Sequence, residues 1–232
     1  KYSLFVSSGS TANFLLLAAI IEKYGLEKND KVLVPSCTWM TAVAPVIQLG
    51  LPPIFCDINY YDFSFDIDHL KYIKEKHNDI KVVWTTHLLG LPANIEAYKE
   101  LFPSAIFMED CCESHGAEID GVKIGNFSKG STFSFYYGHH ITSIEGGMVC
   151  TNNYSLYNIM KMKRSHGMAR EAATKDIYEE YSKIYSSVNK RFLFVTDGYN
   201  FRNNEISAIL GKSQLKRLDS IIQKRKENYD IF

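Results

Sequence analysis

Short runs rich in branched and aromatic residues alternate with helix-like segments along most of this chain, and that alternation limits the accessible folds more than any other feature. Strand-like runs fall at Tyr2 to Val6, Lys31 to Val34, Pro53 to Ile58, Val82 to His87, Ala105 to Glu109, Thr132 to Tyr136 and Met148 to Thr151. Helix-like stretches lie between several of them, at Thr11 to Tyr24, Thr38 to Leu49, Asp66 to Lys76 and Ile95 to Leu101. Strands separated by helices read as parallel βαβ units. The expected fold is therefore α/β, a mostly parallel sheet flanked by helices in a three-layer α/β/α arrangement. From about Asn152 the strand pattern fades and polar helical patterns take over, ending in the run Glu205 to Phe232, so this part is expected to lead out of the sheet.

With 232 residues, 46% of them hydrophobic, the chain can bury the core of one large domain. Lys+Arg and Asp+Glu balance at 26 each, so no overall field recruits nucleic acid or an anionic membrane, and a phosphorylated ligand must find local cations. The longest uninterrupted apolar stretch, Phe14 to Ile21, is far shorter than the roughly 18 to 20 residues of a membrane span. Cys37, Cys56, Cys111, Cys112 and Cys150 are an odd set scattered through unrelated segments, which fits reduced thiols in a cytoplasmic protein better than a disulfide framework. No metal site is expected.

Two segments carry chemistry by their own composition. Ser7-Ser8-Gly9-Ser10-Thr11-Ala12-Asn13 follows the first strand and opens a helix. Small residues there let the backbone N–H groups and hydroxyls of Gly9, Ser10 and Thr11 approach a phosphate, whose charge the helix N-terminus favours. An ordinary Ser/Thr helix cap explains the same residues. Asp110 ends an apolar strand, where α/β sheets place their ligands, although an aspartate there also serves as a helix cap, with Glu113 closing a capping box.

Phe133-Ser134-Phe135-Tyr136-Tyr137-Gly138-His139-His140-Ile141, followed by Glu145-Gly146-Gly147, resembles the cofactor-lysine segment of the DegT/DnrJ/EryC1/StrS sugar aminotransferases, a family of fold-type-I pyridoxal 5′-phosphate (PLP) enzymes. His139 stands where that family carries its lysine. The resemblance implies that Trp39 stacks on the cofactor ring, that Asp110 pairs with the pyridine nitrogen, and that Glu113 lies near the cofactor hydroxyl. It assigns phosphate contacts to Ser134. It also implies that His166 and Arg170, four apart and on one face if their segment is helical, meet the sugar. Finally, it implies that Asn200, in the turn Asp197-Gly198-Tyr199-Asn200-Phe201-Arg202, reaches a neighbouring subunit's cofactor phosphate, hence a homodimer with shared active sites.

An imidazole cannot form the lysine's stable imine, but it can take and give protons near neutral pH. The resemblance is therefore strongest to the histidine-containing 3-dehydratases of nucleotide-linked 4-keto-6-deoxyhexoses, GDP-4-keto-6-deoxymannose above all, on a route to colitose. It implies that L-glutamate converts PLP to pyridoxamine phosphate (PMP), that His139 is the catalytic acid/base, and that a 3,6-dideoxy-4-keto sugar and ammonia are released. The alternatives are a nucleotide-sugar aminotransferase, or a non-catalytic family member that binds cofactor or sugar nucleotide. A histidine-containing relative that depends on a [2Fe–2S] cluster is disfavoured, because four thiolates are needed and only Cys150 follows His139. The start without Met and the end within a helix-like run suggest a PLP-binding large domain, residues 1–232, lacking the extreme N-terminus and a small C-terminal domain.

Overall fold

A computed structural model describes residues 1–231 of the chain; Phe232, the last residue of the expected C-terminal helical run, lies outside the described residues. The strands are β1 (Tyr2–Val6), β2 (Lys31–Pro35), β3 (Pro53–Cys56), β4 (Ile80–Thr86), β5 (Ile106–Asp110), the short β6 (Glu118–Ile119) and β7 (Val122–Lys123), β8 (Gly130–Ser134) and β9 (Gly147–Thr151). The helices are α1 (Gly9–Tyr24), α2 (Ala44–Gln48), α3 (Ile67–Lys76), α4 (Ile95–Leu101), α5 (Tyr154–Arg164), α6 (Lys175–Ile184), α7 (Glu205–Leu215) and α8 (Leu218–Tyr229).

Seven strands form one sheet in the order β1-β9-β8-β5-β4-β2-β3. Only β9 opposes its neighbours, pairing antiparallel with β1 and β8, while the remaining neighbours run parallel. Each face buries its own core. On one side Leu15, Leu16 and Ile20 of α1 meet Val32, Trp84, Met108 and Val149 of the sheet, together with Leu156 and Met160 of α5. On the other, Leu70 and Ile73 of α3 and Ile95 and Tyr98 of α4 pack on Leu33, Val83 and Phe107. Central strands read as nearly continuous apolar runs because both faces are covered. The three-layer α/β/α expectation holds.

Capping decides where α1 begins and ends. Ser8 is its N-cap, accepting a hydrogen bond from Thr11 N at 3.1 Å, while Ser8 N donates to Thr11 Oγ1 at 3.0 Å. Gly25 closes it in the left-handed region at φ 64°.

The helix expected over Thr38 to Leu49 is instead a 3₁₀ turn at Met40–Ala42 followed by the short α2. Pro45, in the first turn of α2, can open a helix but cannot continue one, because it lacks an N–H and its ring clashes with the preceding turn. The β6–β7 hairpin turns through Asp120 and Gly121, both at positive φ (49° and 77°).

Candidate active site

The C-terminal ends of β1, β2, β4, β5 and β8 converge on one cavity of about 480 Å³. This is the position where open α/β sheets hold ligands. Ser8, Gly9, Ser10, Trp39, Asp110, Glu113, Ser134 and His139 all line it, joining residues more than 120 positions apart in the chain.

The loop at the start of α1 forms one wall. A side chain at Gly9 would put its Cβ 2.6 Å from Ser134 Cβ and 3.1 Å from Cys112 Sγ, so only glycine leaves this corner open. The same logic holds below the loop, where a Cβ on Gly147 would lie 2.1 Å from Ser8 O. The Thr11 hydroxyl is spent inside the loop, bonding Ser7 Oγ, Ser8 N and Ser8 O at 3.0 Å each. Thr11 therefore shapes the wall without lining the cavity.

Asp110, 4% exposed, closes the floor. Its Oδ2 accepts from Asn13 Nδ2 at 2.7 Å and its Oδ1 from Cys112 N at 3.0 Å. Asn13 is fixed in turn, because its Oδ1 accepts from Thr132 Oγ1 at 2.5 Å. An acceptor-only carboxylate held by two donors, one of them a buried side chain, is well placed to meet a protonated ring nitrogen. The preceding residue points to the other face of the strand. Glu109 is fully buried and meets His87 Nε2 at 3.2 Å, Gly125 N at 2.7 Å and Phe127 N at 3.0 Å. Burial works to raise its carboxyl, but the hydrogen bonds from His87 and the neighbouring loop outweigh it and hold the group below the usual carboxylate range.

Trp39 follows β2 and is 68% exposed beside the cavity, so it is not the core tryptophan that its composition alone would suggest. His139 lies half-buried on the loop between β8 and β9, its backbone N donating to Tyr136 O at 3.1 Å. Burial lowers its pKa from the usual 6.5, while the carboxylates of Glu113 and Asp110 oppose the shift. The group is thus a predominantly neutral base near pH 7. Glu113 Oε2 accepts from Leu89 N at 3.0 Å, so that side chain also fixes the loop after β4.

Three candidates stand away from the cavity. α5 ends at Arg164, and His166 (φ 62°) and Gly167 (φ 74°) are left-handed, so His166 and Arg170 do not share a helix face. Both are exposed. The reason is local: Gly167 N donates to Met162 O, and a Cβ there would lie 1.9 Å from Thr196 O, so the chain must turn sharply to let the 196–200 segment pass. Asn200 is exposed too, on the 198–203 segment that packs along the first strand and the loop of α1. That segment is tied down by Ser7 N donating to Phe201 O at 2.9 Å and by Asn203 Nδ2 bridging Val6 O and Glu145 O at 3.0 and 3.1 Å.

Sequence reasoning missed Thr86 and His87 in the cavity wall and the support of Asp110 by Asn13. The first two end a strand, so the strand-end rule that singled out Asp110 applied equally to them. Nothing in the sequence marks Asn13, because its role needs a partner 97 residues away.

This geometry has close counterparts. A GDP-4-keto-6-deoxy-D-mannose 3-dehydratase of Yersinia pseudotuberculosis is 38% identical over 237 residues, covering 100% of this chain and 59% of that protein. The structure of the E. coli GDP-4-keto-6-deoxy-D-mannose-3-dehydratase with bound hydrated PLP superimposes with a TM-score of 0.88 at 35% identity, over 99% of this chain and 59% of that one. A GDP-4-keto-6-deoxymannose-3-dehydratase with a trapped PLP-glutamate geminal diamine gives 0.83 at 35% identity, over 94% and 57%. This chain thus spans a little under three fifths of the length of these relatives. The sequence pattern of the DegT/DnrJ/EryC1/StrS aminotransferase family matches residues 1–232 from end to end, and with the sheet, the cavity and these likenesses in agreement, the chain belongs to that family.

Proposed function

We propose that the full-length protein is a PLP-dependent 3-dehydratase of a GDP-linked 4-keto-6-deoxyhexose, with L-glutamate as amino donor. The observation that carries this reading is His139 in the cavity wall, at the position where the segment's resemblance calls for a lysine. The relatives named above act on that sugar or were trapped with glutamate, which supports the same choice of substrates.

The residues fit PLP. The glycine corner at Gly9, the Ser10 and Ser134 hydroxyls and the N-terminus of α1 suit a phosphate. Trp39 offers a flat apolar face, and Asp110 a carboxylate for the ring nitrogen. When bound, PLP supplies an electron sink for negative charge developing on the adjacent carbon. Asp110 keeps that sink effective by holding its proton. His139 takes a proton from the bound reactants and returns one to the hydroxyl leaving sugar C3. Glu113 fixes the loop that faces His139. Release of the 3,6-dideoxy-4-keto sugar and ammonia requires no reductase.

His166, Arg170 and Asn200 are assigned to the sugar and to a neighbouring subunit, in a homodimer with shared active sites. Their exposure outside the cavity supports contacts made to something other than this chain's own site. Residues 1–232 are read as the cofactor-binding large domain. Among the described residues no helix is long and apolar enough to cross a membrane.

The test is product analysis with full-length protein, PLP, L-glutamate and GDP-4-keto-6-deoxymannose. Ammonia, 2-oxoglutarate and a sugar that has lost its C3 oxygen but keeps the carbonyl at C4 are expected, glutamate having supplied the two electrons. A stable 4-amino sugar would reinstate the aminotransferase reading, and no turnover of glutamate or sugar would favour a non-catalytic protein. His139→Lys should restore a borohydride-reducible lysine link, absent from the unaltered protein, and suppress dehydration.

A further inference from the structure

Lys163, in the last turn of α5, is 3% exposed and lies outside the cavity wall. Its ammonium has three donors and meets three acceptors: Glu22 Oε2 on α1 at 2.8 Å, Thr196 Oγ1 at 3.3 Å, and Asp197 Oδ1 closer still. The Thr196 hydroxyl donates in turn to the same Glu22 oxygen at 2.6 Å, and the Tyr199 hydroxyl donates to Asp197 Oδ2 at 3.2 Å. Taking an ammonium out of water is costly, and an apolar side chain would fill the space beside α1 more cheaply. What the buried charge provides instead is direction, because it draws two carboxylates and a hydroxyl from α1 and from the 196–197 stretch to one point.

That point is the start of the segment that carries Asn200. Tyr199 N donates to Lys163 O at 2.7 Å, His166 N to Tyr199 O at 2.8 Å and Phe201 N to Arg164 O at 3.0 Å, with an antiparallel bridge between Ser165 and Asn200. Side chains alternate along an extended stretch, so Tyr199 and Phe201 share a face. Their rings stack at 4.8 Å, and both meet Phe14 of α1 edge-on, at 5.0 and 5.7 Å. Asn200, between them, is turned the other way and exposed. Backbone pairing and the aromatic face thus set which way Asn200 points, while the Lys163 cluster ties the segment to Glu22 near the end of α1.

We propose that Lys163 is a positioning residue for the neighbouring subunit's active site: by clamping Asp197, Thr196 and Glu22 together it holds Asn200 where it can meet that subunit's cofactor phosphate. It acts across the dimer and not on the cavity of its own chain. No covalent bond changes. The role of Lys163 rests on the reading of Asn200 as an arm to the neighbouring cofactor.

The test is subunit complementation in full-length protein. Lys163→Met keeps most of the packing and removes the charge, and should weaken PLP binding about tenfold or more in an absorbance titration, as expected when a hydrogen bond to a charged group is lost. Lys163→Arg, which keeps the charge, should recover most of that affinity. In turnover at a PLP concentration near the Kd of the unaltered protein, dimers of Lys163→Met should be impaired and dimers of His139→Asn inactive. A mixed dimer with one copy of each, isolated through two different tags, pairs an intact His139 with an intact Asn200 segment from the other subunit. One site of two is then whole, and about half the unaltered activity should return. Asn200→Ala paired with His139→Asn is the control and should recover likewise. Recovery with Asn200→Ala but not with Lys163→Met would show that Lys163 supports only its own chain, and overturns the proposal. Recovery with neither sinks the shared-site reading, and the role of Lys163 with it. Unaltered PLP affinity in Lys163→Met overturns the proposal whatever the protein catalyses. Should Lys163→Met misfold, Asp197→Asn, at a side chain 66% exposed, must give the same pattern.

Discussion

At Asp110 the two acceptor oxygens meet two donors, Asn13 Nδ2 and Cys112 N, and Asn13 cannot simply turn over because Thr132 holds its oxygen. Asp110→Asn therefore sets an amide N–H₂ against a donor and removes the charge that keeps a bound ring protonated. The expected outcome is a folded protein whose kcat falls by about 10²-fold or more, and full activity with correctly loaded cofactor would refute the assigned role. His115 carries a second residue-scale consequence. Burial, with the neighbouring His140 and His139, puts its folded pKa at about 3, below the unfolded value of 6.5, so the unfolded chain takes up a proton first as pH falls. The stability tied to its neutrality is full above pH 6.5 and is lost progressively as pH drops toward 3, at about 1.4 kcal/mol per pH unit. His115→Phe should flatten the decline in Tm between pH 6.5 and 5, leaving the shares due to His139, which burial holds low, and His140, which burial and Arg225 hold at about 4. An equally steep decline in the variant would show that this burial is not what makes the fold acid-sensitive.

Among the elements, the start of α1 shows how one local choice serves two ends. Ser8 and Thr11 cap each other and fix the helix, while Gly9 leaves open the corner against Ser134 and Cys112. The cap and the phosphate cradle, alternatives when read from sequence, coexist: Ser8 and Thr11 make the cap, and Gly9 and Ser10 face the cavity. Gly9→Ala adds a methyl 2.6 Å from Ser134 Cβ, a clash within the protein that should lower its stability by about 1 to 3 kcal/mol. Relieving it moves Ser134 or the loop, so PLP should also bind more weakly, measurable by absorbance titration of full-length protein. Unaltered affinity would place the phosphate elsewhere. Asp120-Gly121 is a local hairpin signal that the chain does adopt, and Pro45 is the local signal for the break in the Thr38 to Leu49 segment.

For the whole molecule, the sheet region is covered on both faces, but α7 and α8 bury no residue of their own. Ile206, Ile209 and Leu210 stand exposed at helical spacing on α7. If that stripe faces a second subunit, Ile206→Glu with Ile209→Glu in full-length protein should halve the mass seen by sedimentation, and a persistent dimer would move the interface elsewhere. The sequence by itself determined the α/β class, the strand and helix order and the histidine in place of a lysine, because alternation of apolar runs and local motif chemistry act over a few residues. It also brought forward Asp110, Trp39, Ser134 and the glycine-serine loop, which do line one cavity. Only the tertiary structure decided that Asn13 steadies Asp110, that Thr11 belongs to the loop rather than the cavity, and that a left-handed turn separates His166 from Arg170. It alone brought the ring of His115 to 6.1 Å from that of His139. Apart from Thr11, whose bonds to Ser7 and Ser8 are local, each of these depends on segments distant in sequence being brought side by side, where close approach and the available partners fix each group.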